Sequence, residues 1–415
     1  MRNRSGWWII IVIMILLDLY VFQVVKALAS GASEKTRLVV YSVYWTLSIA
    51  GVAFLLFLPY FNSESWPKTM RNYLFATFAG LFIAKLLAAT FFMIDDARRG
   101  ITWVLSKMFP ENASDKNNSW NLSRSAFLSW LGVGIGGGFL GTFIYGFTNK
   151  YNYQVKRIKL SYKNLPPAFK GLKIIHISDI HSGSFGDRNA VERGVKLMLE
   201  ENADLILFTG DLVNDEAGEM KNYVDLFNRL KAPLGVFSIL GNHDYGDYVR
   251  WESPLAKKQN LENLKQIHSK LGWRLLMNEH VVFERNGESI ALLGIENWGA
   301  KGNFPKYGKM TEAYQGTEKY PFKILMSHDP SHWDAEVRPK YGDIDLMLSG
   351  HTHGMQFGLE TPFLKWSPVQ WMYRQWAGLY EEGNQKLYVN RGFGFIGYPG
   401  RVGILPEISV IELDT

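Results

Sequence analysis

The hydrophobic pattern of this chain changes once, near residue 150. Before that point four long apolar runs follow one another: residues 7–29, 38–61, 73–94 and 126–147, each about 22 to 24 residues. A helix rising 1.5 Å per residue needs about 20 residues to cross a bilayer, so all four are predicted to be transmembrane helices. Buried helices of a soluble protein fit poorly, because four such runs leave no polar face. A cleaved signal peptide accounts for the first run at most. Trp7, Trp8, Tyr60, Phe61, Tyr73 and Tyr145 sit near the run ends, where aromatic rings prefer the headgroup layer.

After residue 150 short apolar runs alternate with amphipathic segments. Residues 172–177, 205–208, 234–240, 289–294, 323–326, 345–348 and 386–390 read as buried strands, and residues 189–201, 222–230 and 261–271 as helices. Such alternation predicts a layered α/β domain with helices covering the sheets. The expected organisation is a transmembrane region over 1–150 and one soluble domain over 151–415, long enough for a large core.

Charge follows the same division. Residues 1–150 carry 14 Lys and Arg against 7 Asp and Glu and no histidine, whereas residues 151–415 carry 31 against 32 and all 9 histidines. The net charge of +6 thus belongs to the membrane part. The near-neutral second part lacks the electrostatic footprint of a nucleic-acid binder. The absence of cysteine excludes disulfides, thiolate metal sites and cysteine nucleophiles.

Asp18, Lys26 and Lys85 interrupt the apolar runs. A charge in hydrocarbon turns toward protein or water, so Asp18 is expected to pair with Lys85, unless the two serve transport or sensing. Lys26, near a run end, can snorkel. Glycines 132, 134, 136, 137, 138 and 141 would let the fourth helix pack closely. With the N-terminus inside, Lys and Arg near the run ends number 9 inside against 7 outside, which places the soluble domain in the cytoplasm by a narrow margin. Against it, Ser123-Arg124-Ser125-Ala126-Phe127-Leu128 looks like a degraded twin-arginine export signal, so the side stays open.

Five short motifs then follow in order: Asp179-Ile180-His181, Gly210-Asp211, Gly241-Asn242-His243-Asp244, His328 and Gly350-His351-Thr352-His353. Each comes where a predicted strand runs out, the place at which open α/β sheets form ligand crevices. Singly, each has a bland reading, since His-Asp pairs cap helices and glycines mark turns. Together they supply ligands for two adjacent metal ions, which polarise a phosphoryl group and deprotonate a water at neutral pH. A hydrolase is the leading reading.

In these motifs the chain resembles the calcineurin-like metallophosphoesterases, whose pattern is D-x-H, G-D, G-N-H-D/E, H and G-H-x-H, over roughly residues 170–415. The likeness extends to a membrane-anchored bacterial branch through Gly350-His351-Thr352-His353-Gly354, Tyr388-Val389-Asn390-Arg391-Gly392 and Leu405-Pro406-Glu407-Ile408. That branch is grouped with the UDP-2,3-diacylglucosamine hydrolases of lipid A synthesis. Met355 departs from the pattern, where many relatives place glycine.

The resemblance implies a four-layer α/β/β/α sandwich. It implies that Asp179, His181 and His353 hold one metal, that Asn242, His328 and His351 hold the second, and that Asp211 bridges them. Two cations about 3.5 to 4 Å apart share a hydroxide that attacks in line with the leaving group. Four imidazoles favour manganese, zinc or iron over magnesium. His243 is left over from the ligand set and is expected to act as a general acid or to stabilise transition-state charge. Asp244 is expected to accept from its other nitrogen and fix the tautomer. His176, His268, His280 and His332 lack this context and read as structural. Arg391 and Arg401 are the cations expected nearest a substrate phosphate, unless they pair with structural carboxylates.

Residues 361–380 concentrate Phe363, Leu364, Trp366, Trp371, Met372, Tyr373, Trp376 and Tyr380 with Lys365 and Arg374. This segment either lies at a membrane interface or packs on its own domain. The function expected is hydrolysis of a phosphodiester or pyrophosphate bond in an amphiphile, a glycolipid precursor or phospholipid, by an integral protein of a bacterial inner membrane. Hydrolysis of a soluble nucleotide and a non-catalytic metal-binding sensor or scaffold are the alternatives. No nucleic-acid partner is expected, and the sequence leaves the oligomeric state open.

Overall fold

The computed structural model of the protein describes residues 4–60, 66–108 and 118–415. Phe61 and the side chains of Trp7, Ser123, Arg124 and Ser125 lie outside the described residues. The chain divides into two units at the junction of Tyr145 and Gly146.

The first unit contains helices Arg4–Leu28, Glu34–Phe57, Lys68–Met108 and Asn118–Tyr145, each long and apolar enough to cross a membrane. The third, at 41 residues, extends about 60 Å, roughly twice the hydrocarbon thickness. It continues past Ile94 because Asp95 and Asp96 pair with Arg98 and Arg99 one turn on, at 2.9 and 2.5 Å, which supports the helix where the apolar run ends. The expected intramembrane pair forms: Lys85 Nζ lies 2.5 Å from Asp18 Oδ1 and 2.7 Å from Ser48 Oγ. Only two of the six glycines named above act in helix packing. A Cβ on Gly132 would stand 2.9 Å from the Ala88 carbonyl oxygen and one on Gly136 2.5 Å from that of Ala84, whereas Gly134, Gly137, Gly138 and Gly141 meet nothing.

In the second unit two six-stranded sheets stack. One runs Gln154–Ser161, Glu407–Asp414, Lys173–Ile177, Leu205–Phe208, Val236–Ser238, Arg274–Leu275. The other runs Gly378–Glu382, Gln385–Val389, Leu346–Ser349, Lys323–Met326, Glu288–Gly294, Glu279–Arg285. Strands Lys173–Ile177, Leu205–Phe208 and Val236–Ser238 are mutually parallel, as are Lys323–Met326 and Leu346–Ser349.

Three separate cores establish the layer order. Ile174, Leu205 and Leu207 of the first sheet pack with Ile324, Met326 and Leu348 of the second between the sheets. Side chains alternate across a strand, so Ile175, Ile177 and Ile206 point the other way, onto Val191, Val195 and Leu264 of covering helices. Leu325 and Met347 do the same on the far side, against Trp333 and Val337. This is the α/β/β/α sandwich that the family resemblance implied.

Local differences from the sequence reading have local causes. The helix expected over 222–230 is a single turn, Val224–Phe227, and the one expected from 261 begins at Pro254, where Ser253 Oγ caps the Ala256 amide at 3.1 Å. Strand Gln154–Ser161 is not predicted by the apolar pattern because it lies at a sheet edge, with polar residues at five of its eight positions and only Leu160 buried.

Candidate metal centre

The C-terminal ends of these parallel strands bring the five motifs together. Asp179 and His181 follow Lys173–Ile177, Asp211 follows Leu205–Phe208, and Asn242 and His243 follow Val236–Ser238. The other sheet contributes His328 after Lys323–Met326, then His351 and His353 after Leu346–Ser349. Five of these residues adopt left-handed backbone: Asp179 at φ 54°, His181 at 48°, Asp211 at 61°, His351 at 70° and His353 at 50°. Such conformations cost of order 1 to 3 kcal/mol each in a residue with a Cβ and persist at sites of function. Two glycines make room for the turned side chains. A Cβ on Gly350 would collide with Ser178 Oγ and the Asp179 carboxylate, and one on Gly241 with the Asp211 carboxylate.

The side chains converge in two groups. Asp179, His181 and His353 place donor atoms within 4.8 Å of one another, and Asp211, His328 and His351 do likewise. In the first, His353 Nε2 is 3.1 Å from His181 Nε2 and 3.2 Å from Asp179 Oδ1. In the second, His351 Nδ1 is 2.8 Å from Asn242 Oδ1 and 3.3 Å from His328 Nε2. Asp211 Oδ2 touches both groups, at 3.2 Å from His328 Nε2 and 3.5 Å from His181 Nε2.

Electrostatics favours a cation here. Burial pushes the Asp211 carboxyl up, but the imidazoles of His328 and His243 pull it further the other way, to well below the ordinary range. Burial pushes the His328 imidazole down, and the facing Asp211 carboxylate more than reverses this, raising it to about 10. Buried His181 and His351 are held below the usual histidine value and stay neutral, with lone pairs free to ligate. Arg401 Nη2 lies 3.3 Å from His353 Nδ1, on the side of the ring away from the Nε2 that faces His181 and Asp179. The set of two carboxylates, four imidazoles and an amide oxygen fits divalent ions, whose binding would compete with protonation of His328 beside Asp211.

Supporting contacts fix several rings. His328 Nδ1 donates to the Thr209 carbonyl at 2.7 Å, leaving Nε2 for the centre. His351 is held the other way round: Nε2 meets the Tyr373 hydroxyl at 2.9 Å, which donates to Asp329 Oδ2 at 3.3 Å. The sequence marks Tyr373 only as a member of the aromatic segment and Asp329 not at all, since neither has a link to the motifs until the fold brings it to His351.

Three expectations are corrected. Asp244 does not orient His243. Its carboxylate accepts the backbone amides of Gly241, Asp211 and Leu212, each at 2.8 Å, and so clamps two ligand loops together. His243 Nδ1 instead donates to the Asn214 carbonyl at 2.7 Å. Arg391 is 3% exposed and committed to Glu407 and, at 2.5 Å, to Glu360. Arg401 is fully buried, donating to the carbonyls of Arg391, Gly392 and Gly394 behind His353. Both cations hold loops together and neither faces open space. His176, His268, His280 and His332 bond elsewhere, to Thr209, Ser238, Ala313 and Ser327 respectively.

Comparison with known proteins agrees with this geometry. Residues 1–150 match the family described as probable calcineurin-like phosphoesterase, transmembrane domain, and residues 172–355 match the calcineurin-like phosphoesterase family. A transmembrane protein with metallophosphoesterase domain from Danio rerio is 30% identical over 280 residues, 65% of this chain and 60% of the relative. The chain thus spans less than two thirds of that relative. Two uncharacterized metallophosphoesterases of Bacillus subtilis (strain 168) also match. YkoQ is 27% identical over 64% of this chain and 92% of its own length, and YkuE 29% over 60% and 81%. Residues 1–150 and 172–355 thus match a transmembrane and a catalytic-domain family of calcineurin-like phosphoesterases in succession, and the five ordered motifs of the second span converge at one end of the sandwich.

Proposed function

We propose that this protein hydrolyses a phosphodiester or pyrophosphate bond in an amphiphilic substrate, a glycolipid precursor or phospholipid, using two divalent cations. Asp179, His181 and His353 would hold one ion, Asn242, His328 and His351 the other, and Asp211 both. The observation that carries this reading is the shared Asp211 oxygen, within 3.5 Å of an imidazole nitrogen from each donor group. When bound, such ions polarise phosphoryl oxygens and lower the pKa of water, and manganese, zinc or iron suits four imidazoles.

The remaining roles fall to the chain itself. His243 packs at 5.0 Å from the His181 ring and at 4.5 Å from Tyr248. The Asn214 carbonyl takes its Nδ1 proton, so Nε2 is the nitrogen available to pass a proton to a leaving group or to hold developing charge. The ligand loops, clamped through Asp244, keep the donors fixed before substrate arrives, which reduces reorganisation on reaction.

The amphiphilic substrate and a membrane location are supported by the four apolar helices on the same chain, and a bacterial inner membrane is the location proposed with them. A panel of lipid and nucleotide phosphoesters, run on the metal-loaded full chain in detergent, tests the reading. Preferred hydrolysis of lipid phosphoesters is expected. Preference for soluble nucleotides would replace the amphiphile, and no turnover with manganese, zinc or iron would leave a metal-binding scaffold.

A further inference from the structure

Residues 361–380 sort into an inner and an outer set. Tyr373 and Trp376 are buried at 5% and 4% exposure in a small core with Ala377 and Ile404. Phe363, Leu364, Trp371 and Met372 are 98%, 52%, 76% and 59% exposed. Phe363 and Leu364 form the turn between the paired strands Leu359–Glu360 and Lys365–Trp366, and Trp371 and Met372 close the turn Pro368–Trp371. The Trp366 and Trp371 rings meet edge-on at 6.2 Å, so the two exposed pairs share one lobe. Its base is fastened to the loop of His351 and His353: Ser367 Oγ donates to the Gly354 carbonyl at 2.8 Å, and Thr352 Oγ1 to that of Trp376 at 2.6 Å.

We infer that this lobe seats in the headgroup layer of a lipid bilayer, with Phe363, Leu364, Trp371 and Met372 at the acyl boundary and Arg374 on lipid phosphate. Exposed Trp and Phe with a cation beside them are the composition that the interface selects. The Arg374 side chain is 76% exposed, and Glu382 Oε1 lies 3.8 Å from its Nη2, at the limit of an ion pair. Lipid is favoured over a protein partner because the apolar helices of the same chain keep a bilayer at high effective concentration. Seating one residue away from Tyr373 would bring the His351 end of the centre to the depth of lipid phosphates. That consequence rests on the metal-centre reading above, whereas the seating itself does not.

The chain has no cysteine, so Phe363→Cys and Trp371→Cys each give one attachment point for a nitroxide. Leu255→Cys, at a 73% exposed position on helix Pro254–Leu271, serves as control. The full chain is reconstituted in vesicles of phosphatidylethanolamine and phosphatidylglycerol, and nitroxide collisions are measured with oxygen and with a water-soluble nickel chelate. Oxygen collisions several-fold above chelate collisions at 363 and 371, with the reverse at 255, are expected. Chelate dominance at 363 and 371 would put the lobe in water, and exclusion of both agents would put it under protein; either overturns the inference. Hydrolysis of a chromogenic diester is scored separately. Oxygen dominance without turnover upholds lipid seating while removing the phosphoesterase reading.

Discussion

The Tyr373 hydroxyl stands 2.9 Å from His351 Nε2, so a residue of the aromatic segment sets which nitrogen of a candidate ligand faces the centre. With Nε2 engaged there, Nδ1 is the atom left beside Asn242 and His328. Partners of this kind fix tautomer and ring angle and typically contribute about 10- to 100-fold in metal affinity. Tyr373→Phe keeps the ring and deletes the hydroxyl. Titration with manganese or zinc should show affinity falling within about that range, with the thermal midpoint of the metal-free protein little changed; unchanged affinity would remove the role.

Adjacent residues of the third motif should fail in different ways. His243→Ala is expected to lower turnover by about 10²- to 10⁴-fold, the usual contribution of a positioned acid or base, with metal content intact. Asp244→Ala strands the three amides its carboxylate accepts at 2.8 Å. At about 1 to 3 kcal/mol for each unsatisfied buried group, loss of fold and metal together is expected. Circular dichroism and metal analysis on the two variants separate these outcomes, and an Asp244→Ala protein that melts like wild type would contradict the clamp.

Arg391 is a test of structure against substrate binding. Removing it leaves Glu407, fully buried, without that cation, whereas Glu360 keeps Lys156 at 3.2 Å. Breaking a buried pair from one side costs about 3 to 5 kcal/mol. Arg391→Ala should therefore depress the thermal midpoint strongly. A stable variant with a raised KM would restore the phosphate-binding role expected from sequence.

A pH effect on stability should come from Asp345, at the end of the sandwich opposite the ligands. Burial pushes its carboxyl up to about 6 from the usual 3.8, despite bonds at 2.7 Å from the Asn164 amide and the Lys323 N–H. The folded-state value lies above the unfolded one, so the folded protein binds this proton more tightly. Its contribution is fully present below about pH 4 and is lost as pH rises through about 6, amounting to about 3 kcal/mol at most. Asp345→Asn stays neutral throughout. Between pH 4 and 7 the thermal midpoint of Asp345→Asn should gain on that of wild type, and a constant difference would show that the carboxyl titrates normally in the fold.

Much of this protein is local in origin and hence legible in one dimension. A transmembrane helix must satisfy its own backbone and present apolar side chains over about 20 residues, so all four were visible as runs, although the extension to Met108 depended on ion pairs beyond the apolar stretch. Central parallel strands are buried on both faces and read as short apolar blocks, whereas the edge strand Gln154–Ser161 looks like loop until Glu407–Asp414 pairs with it from the other end of the chain. Ligand candidates were legible because turned-back loops between close sheets admit little besides Gly beside Asp, His and Asn. What a side chain meets across the fold was decided only by tertiary structure. Asp244 is 32 residues from the Leu212 amide it accepts, Arg391 is 31 from Glu360, and Tyr373 is 22 from His351. Those partners depend on which strand ends the sandwich brings side by side, a long-range outcome that residue type and spacing do not encode.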